Sequence, residues 1–106
     1  MARSDHIIIW SADAERDIND IWDYLAAEAT VRVADEAVRN IFRACHMLDG
    51  HAFLGRPRDE LIPGMRSILA HPYVVFYRVA GLNIDVVRVL HQRRDIDTIF
   101  ATDDDP

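Results

Sequence analysis

The chain is organised around the stretch Asp85-Val86-Val87-Arg88-Val89-Leu90-His91-Gln92-Arg93-Arg94-Asp95. Its first half is rich in valine and leucine, which form strands and favour burial. Its second half holds one imidazole, two guanidinium groups and a carboxylate, which favour water or a charged partner. A buried strand that ends in polar side chains is a rigid support for a functional site. The same pattern also fits an ordinary buried strand followed by a solvated turn.

Length and composition predict one globular domain over residues 1–106. A second core would be hard to fill at this length, and half of the residues are apolar. No apolar run approaches the roughly 20 residues that cross a bilayer, and the first residues lack the pattern of a signal peptide. The one cysteine, Cys45, excludes an intrachain disulfide and a cysteine-rich metal site. We therefore expect a cytoplasmic protein with no membrane segment.

The net charge is acidic, at −6, yet all 12 basic residues are arginine. Arginine recognises carboxylates and phosphates through a planar set of donors, whereas lysine is a point charge. A GC-rich codon bias would produce the same composition without functional meaning. The negative net charge argues against broad binding to nucleic acid but leaves room for a local basic site.

The first half of the chain predicts a short strand and two helices. Residues 6–10 are β-branched and aromatic, which is typical of a strand. Ser11 is a candidate N-cap for a helix with one apolar stripe, and Thr30 is a candidate N-cap for a second helix that ends near Gly50. Because the break between the helices is short, we expect them to form an antiparallel hairpin.

The second half of the chain predicts a sheet. Glycine, proline and charged residues indicate a loop over residues 51–64. After the loop the apolar residues alternate, which predicts strands over 66–70, 73–79 and 84–90 joined by tight turns. The fold class is therefore α+β: a short N-terminal strand and an antiparallel helical hairpin packed on a C-terminal three-stranded antiparallel β-meander. We expect the acidic tail, residues 101–106, to be frayed.

Each predicted strand of the meander carries one arginine on the same face as its apolar residues. These arginines are Arg66, Arg78 and Arg88. If all three project to one side, they form a mixed apolar and cationic surface that the helices do not cover, suited to an acidic amphipathic peptide. The alternative is that each arginine extends from a strand end and pairs with a nearby acid.

The candidate chemistry is sparse. The five histidines lack metal-binding spacing, and no nucleophile elbow supports a Ser-His-Asp triad. A metal-independent ribonuclease site is a stronger candidate, with His91 as the proton-transfer group and Arg66, Arg93 and Arg94 on the phosphate. That arrangement supplies one titratable group where two are usual, so it stays an alternative.

Several segments together resemble ParE-type toxins of the RelE/ParE superfamily of type II toxin–antitoxin systems. The resemblance covers about residues 5–100 and rests on segments that are specific in combination. They are Trp10-Ser11, Ala14, Asp17-Ile18, Ile21-Trp22, Tyr24, Gly55-Arg56, Glu60-Leu61, Pro63-Gly64-Met65-Arg66-Ser67, Tyr73-Val74-Val75-Phe76-Tyr77-Arg78, Val87-Arg88-Val89-Leu90-His91 and Arg93-Arg94-Asp95. It implies the fold derived above and a cognate antitoxin whose C-terminal segment wraps the toxin. RelE-type members cleave ribosome-bound mRNA, whereas ParE-type members are associated with inhibition of DNA gyrase.

The resemblance also distinguishes the two branches. Arg66 and Arg94 match arginines that contact RNA in the nucleases. The loop offers Arg56 and Arg58 where the nucleases use basic residues that include lysine, and the tail offers Ile99-Phe100 where they use a tyrosine or histidine. Because phenylalanine cannot transfer a proton, we expect a ParE-like gyrase inhibitor with no catalytic residues. The alternatives are a RelE-like nuclease that uses His91, Arg66 and Arg94, and a degenerate non-toxic homologue.

The predicted contact surface for the antitoxin or the target joins the sheet arginines to the end of the opening stretch and to three aromatic residues. It comprises Arg66, Arg78, Arg88, His91, Arg93, Arg94, Trp22, Tyr73 and Tyr77. Val87 and Val89 are expected to anchor the stretch in the core. Asp95 is expected to act as the counter-charge of Arg93 or Arg94. No metal or cofactor is expected.

Overall fold

The backbone of residues 6–103 is described by a computed structural model. Within these residues the chain order is β1 (Ile7–Trp10), α1 (Ala12–Glu28), α2 (Val31–His46), β2 (Arg56–Pro57), β3 (Arg66–Ala70), β4 (Tyr73–Ala80), β5 (Asn83–His91) and α3 (Ile96–Asp103). The strands form one sheet in the order β1-β5-β4-β3-β2. The predicted α+β fold, with its helical hairpin and three-stranded antiparallel meander, is confirmed.

The two outer strands extend the meander on both sides. β1 pairs with β5 in parallel, with Ile7 opposite Asn83 and Trp10 opposite Val86. β2 is a two-residue strand inside the predicted loop, and it pairs with β3 in antiparallel fashion. β1 ends at Trp10, so β5 continues beyond Val86 without a strand on that edge, and this is where the cleft described below begins.

Both predicted N-caps of the hairpin are present. The Ser11 hydroxyl accepts a hydrogen bond from the backbone N–H of Ala14 at 3.0 Å, and the Thr30 hydroxyl accepts one from Val33 at 3.0 Å. Each cap satisfies a backbone donor that has no partner inside its helix. The second helix ends at His46, and turns carry the chain on to Gly50. The apolar faces of both helices, which include Ile18, Ile41 and Cys45, pack on one side of the sheet against strand residues that include Val75, Val86 and Val89.

The other side of the sheet is covered by α3, which the sequence did not predict. Phe100 is 2% exposed and packs on Met65, Phe76 and Leu90. Its ring meets that of Phe76 edge to face, with the centroids 4.9 Å apart. The expectation of a frayed tail is therefore wrong for residues 101–103, which continue this helix. Residues 104–106 lie outside the described part of the chain.

The three sheet arginines do not form a common surface, so that prediction is wrong. On β3, Ile68 and Ala70 pack toward the helices, and Arg66 shares their face by alternation. On β4, Val74 and Phe76 pack toward α3, and Arg78 shares that face. Arg66 and Arg78 therefore point to opposite sides of the sheet.

Cys45 provides a test of how tightly the core is closed. Its side chain is 1% exposed, and burial raises the pKa of the thiol from 9.0 to about 12. Since the thiolate is the reactive form, we expect no measurable reaction of the folded chain with a disulfide reagent at about pH 8. Full reaction is expected after unfolding in urea, which serves as the control. Rapid labelling of the folded chain would contradict the closed core.

Candidate binding cleft

A cleft of about 450 Å³ lies between α1 and the ends of β4 and β5. We call it the α1–β5 cleft. The helix wall consists of Asp17, Asp20, Ile21 and Tyr24, and the sheet wall consists of Tyr73, Val89, Leu90, His91 and Arg94. The volume lies within the range of sites that bind small molecules or side chains.

One carboxylate holds α1 against the unpaired edge of β5. Asp17 accepts two hydrogen bonds from the Arg88 guanidinium, at 2.8 and 3.0 Å, and a third from the backbone N–H of Val89 at 2.9 Å. The third bond replaces the strand partner that β5 lacks beyond the end of β1. The side chains of Asp17 and Arg88 are only 12% and 16% exposed. Arg88, predicted to contact a partner, is therefore committed to an intramolecular ion pair that sets the position of the cleft's helix wall.

Ser11 reinforces the same junction from the start of α1. Its backbone N–H donates to the Val86 carbonyl at 3.0 Å, and its hydroxyl donates to the Val87 carbonyl at 2.8 Å. The same hydroxyl also accepts the capping bond from Ala14. The helix is therefore tied to the strand at two successive points, which gives the cleft a rigid wall.

Tyr73 places a phenol in the sheet wall of the cleft. The residue is 7% exposed, and its ring contacts His91 edge to face with the centroids 5.5 Å apart. Burial, followed by the nearby Tyr24 phenol, raises the pKa of Tyr73, so its hydroxyl stays protonated and acts as a donor. Among the residues that the structure describes, no group pairs with this hydroxyl.

A tight turn at the end of β5 presents Arg94 to the cleft. The Arg94 N–H donates to the His91 carbonyl at 2.9 Å, and Gln92 donates to the Pro72 carbonyl at 2.8 Å. The Arg93 N–H donates to His91 Nδ1 at 3.1 Å, which leaves Nε2 as the ring nitrogen that can donate. Arg94 lines the cleft and Arg93 does not.

Asp95 caps α3 instead of balancing an arginine. Its carboxylate accepts hydrogen bonds from the Thr98 hydroxyl at 2.7 Å and from the Thr98 N–H at 3.3 Å. The expected counter-charge role is therefore wrong, because the N-cap position of the helix takes both carboxylate oxygens. Arg94 keeps its charge available at the mouth of the cleft.

The Asp95 cap predicts that the start of α3 responds to acid. The hydrogen bonds from the Thr98 hydroxyl and then the Thr98 N–H lower the pKa of Asp95. The cap thus stabilises α3 fully above the unfolded value of about 3.9 and loses this effect as the pH falls through the lower folded value. We expect the helical NMR shifts of residues 96–100 to weaken over that window. Asp95→Asn, which caps without titrating, should remove the response, and equal pH profiles for both chains would contradict it.

Arg66 and Tyr77 hold a loop and lie away from the cleft. The Tyr77 hydroxyl donates to the Ala52 carbonyl and accepts from the Gly55 N–H, both at 2.8 Å. Arg66 donates to the Gly55 carbonyl at 2.6 Å and lies over the Phe53 ring, 4.9 Å from its centroid. Tyr77 is fully buried, so we correct its assignment from partner contact to loop support. We call these contacts the loop clamp.

The loop clamp separates Arg66 from the other residues of the ribonuclease alternative. Arg66 pairs with Tyr77 and His91 pairs with Tyr73 on β4. Those two partners are four residues apart, which corresponds to about 13 Å along a strand. The structure therefore brings His91 and Arg94 together and leaves Arg66 elsewhere.

The remaining predicted contact residues lie on other surfaces. The Trp22 indole N–H donates to Asp35 at 2.8 Å across the hairpin, and Trp22 borders a separate hollow with Phe42. Arg78 is exposed on β4. Of the nine predicted contact residues, the cleft gathers Tyr73, His91 and Arg94. The helix wall was missed, although Asp17, Ile21 and Tyr24 recur at the spacing of one helix face.

The described residues contain neither a candidate metal site nor a candidate membrane-spanning helix. No group of three or more histidine, cysteine, aspartate or glutamate side chains there could hold a metal ion. No helix in that part of the chain has the length and apolar character needed to cross a membrane.

The hairpin packed on a meander, with β1 parallel to β5, agrees with the fold that the resemblance to the RelE/ParE superfamily implies. The family described as "ParE toxin of type II toxin-antitoxin system, parDE" matches residues 8–96. The chain therefore belongs to the ParE toxin family.

Curated relatives and a solved structure agree with this assignment. Toxin ParE1 of Mycobacterium tuberculosis (strain H37Rv) is 39% identical over 88 residues, 82% of this chain and 90% of the relative. Toxin ParE1 of Caulobacter vibrioides is 35% identical over 82 residues, 77% of this chain and 84% of the relative. The structure titled "Chromosomal ParDE TA system from P. aeruginosa" superimposes with a TM-score of 0.72 at 24% identity, covering 83% of this chain and 97% of that one. At that identity the superposition supports the fold.

Proposed function

We propose that this ParE-family toxin arrests growth by binding DNA gyrase in the cytoplasm and that a cognate antitoxin neutralises it. The observation that carries the proposal is the family match over residues 8–96. The toxin acts as a binding protein and performs no chemistry of its own. The solved structure with the same fold is a chromosomal ParDE TA system from P. aeruginosa, which supports an antitoxin as the partner.

The position of Arg66 supports the inhibitor branch over the nuclease branch. Its guanidinium is used by two loop carbonyls and the Phe53 ring. Arg58, one of the two arginines that the loop itself offers, pairs with Glu60 at 2.7 Å. Phe100 is buried under the sheet and has no group that transfers protons. A phosphate near His91 and Arg94 would thus lack Arg66, which the nuclease arrangement needs.

Gyrase supercoiling measured with the purified chain tests the target. We expect inhibition at toxin concentrations that stop growth, and no effect on relaxation of the same plasmid by topoisomerase I, which controls for binding to DNA itself. Unchanged supercoiling at those concentrations would remove gyrase as the target.

The nuclease alternative is separated by a second measurement. We expect mRNA cleavage profiles to stay unchanged after induction of the toxin, and His91→Ala to retain toxicity. New cleavage sites that disappear in His91→Ala would favour the nuclease. Continued growth on expression without the antitoxin would indicate a degenerate homologue.

A further inference from the structure

We propose that the α1–β5 cleft binds one carboxylate side chain of the antitoxin, presented by a segment in which an acidic residue is flanked by apolar residues. This inference rests on the proposed function, since it names the chemistry by which the neutralising partner is recognised. It commits to a single anion on a polypeptide as the occupant.

The first observation is a phenol in the cleft wall that has no partner. Tyr73 as a residue is 7% exposed, and it lines the cleft. No group among the described side chains pairs with its hydroxyl. Every fully buried side-chain nitrogen or oxygen in that part of the chain has a partner, so this unpaired hydroxyl is accessible and can donate to a group that arrives from outside the chain.

The second observation is that other donors share the wall with Tyr73. His91 has its Nδ1 occupied by the Arg93 N–H, so Nε2 is the nitrogen that donates. Arg94 lines the same cleft, and no side chain among the described residues pairs with its guanidinium. A phenol, an imidazole N–H and a guanidinium form a donor set that matches a carboxylate.

The third observation limits the occupant to a single anion. Asp17 lies in the helix wall but is neutralised by Arg88, whereas Asp20 lies in the same wall with no partner among the described residues. Together with the net charge of −6, Asp20 repels a polyanion such as a nucleic-acid backbone. One carboxylate held by Arg94 meets less of that repulsion than a polyanion does. The apolar residues of the cleft, Ile21, Val89 and Leu90, favour apolar neighbours beside the acid.

The test uses the cognate antitoxin, purified as the product of the reading frame expected beside that of the toxin, and measures its binding to the full chain by calorimetry. Arg94→Gln should weaken binding by about tenfold or more, because a hydrogen-bonded charge is lost. Arg93→Gln is the matched control, since it removes the same charge one position away from the cleft and should leave affinity unchanged. Tyr73→Phe should weaken binding by about three- to tenfold while keeping the ring and its contact with His91.

The affinity of the partner for Asp20→Asn tests the sign of the charge that the partner places in the cleft. Removal of the repulsion should tighten binding of an acidic segment. Weaker binding of Asp20→Asn would mean that the segment presents a cation, which overturns the inference. In a scan of the partner, each acidic residue is changed in turn to its amide. One of these changes should weaken binding to the wild-type chain and have no further effect on binding to Arg94→Gln.

The outcomes separate this inference from the proposed function. If the wild-type chain forms no complex with the adjacent product, the proposed partner fails and the inference fails with it. If the complex forms and Tyr73→Phe and Arg94→Gln bind like the wild type, the inference alone fails. Binding of a single-stranded oligothymidylate that is lost in Arg94→Gln would also overturn the assignment to a polypeptide carboxylate.

Discussion

Asp17→Ala is expected to lower the free energy of unfolding by about 3 kcal/mol or more. The substitution removes the carboxylate that pairs with the largely buried Arg88 guanidinium, and it removes the acceptor of the Val89 N–H at the open edge of β5. Removing one partner of a buried ion pair costs far more than the pair contributes, because the remaining charge is uncompensated. For a chain of this size the melting temperature should fall by about 12 °C or more. Urea unfolding followed by circular dichroism measures both effects.

Asp20→Ala is the matched control for this prediction. It lies one helical turn further along α1, is exposed, and should change stability by less than about 0.5 kcal/mol. The double variant Asp17→Leu with Arg88→Met should lose less stability than Asp17→Ala, because it removes both charges of the pair and fills their space with apolar side chains. If Asp17→Ala unfolds at the same urea concentration as Asp20→Ala, Asp17 does not support the junction between α1 and β5.

The fold was largely predictable because it follows from local patterns. The alternation after Pro63 gave the three strands of the meander, and the Ser11 and Thr30 side chains marked both helix starts. The position of β1 was not predictable, since its four residues indicate a strand but carry no signal for the partner or the direction. α3 had a local signal, although Asp95 was predicted to be a counter-charge. Asp95 and Thr98 lie three positions apart at the start of the helix, as a capping aspartate and its donor do.

The candidate site was predictable on one wall only. His91 and Arg94 come directly after residues 84–90, which have a clear strand pattern, so their place at the end of this strand could be inferred from the sequence. The roles of the other arginines depended on contacts between distant parts of the chain. Arg88 and Asp17 are 71 positions apart, and Arg66 pairs with carbonyls of a loop whose path no sequence pattern specifies. An arginine in an apolar strand therefore gives no indication of whether it faces a partner or an internal acid.

Gly55→Ala should be similarly damaging, because the loop clamp leaves no room for a side chain at Gly55. A Cβ there would lie against the Tyr77 hydroxyl, 2.7 Å from Tyr77 Cε1 and 2.9 Å from the Ser67 carbonyl oxygen. The Tyr77 ring cannot move aside, since it is fully buried among Leu48, Ala52 and Ile84. Relief therefore requires the loop to lift, which breaks the bond from the Gly55 N–H to Tyr77. We expect a loss of about 3 kcal/mol in urea unfolding.

The double variant Gly55→Ala with Tyr77→Phe isolates the cause of this loss. If the hydroxyl is the main obstacle, the double variant should lose less stability than the sum of the two single variants. Gly64→Ala controls for backbone strain alone, because Gly64 has a φ of +82° and open space around its Cβ position. It should cost about 1–2 kcal/mol. A loss for Gly55→Ala no larger than that of Gly64→Ala would mean that the loop is free to shift, and that Arg66 is not confined by the clamp.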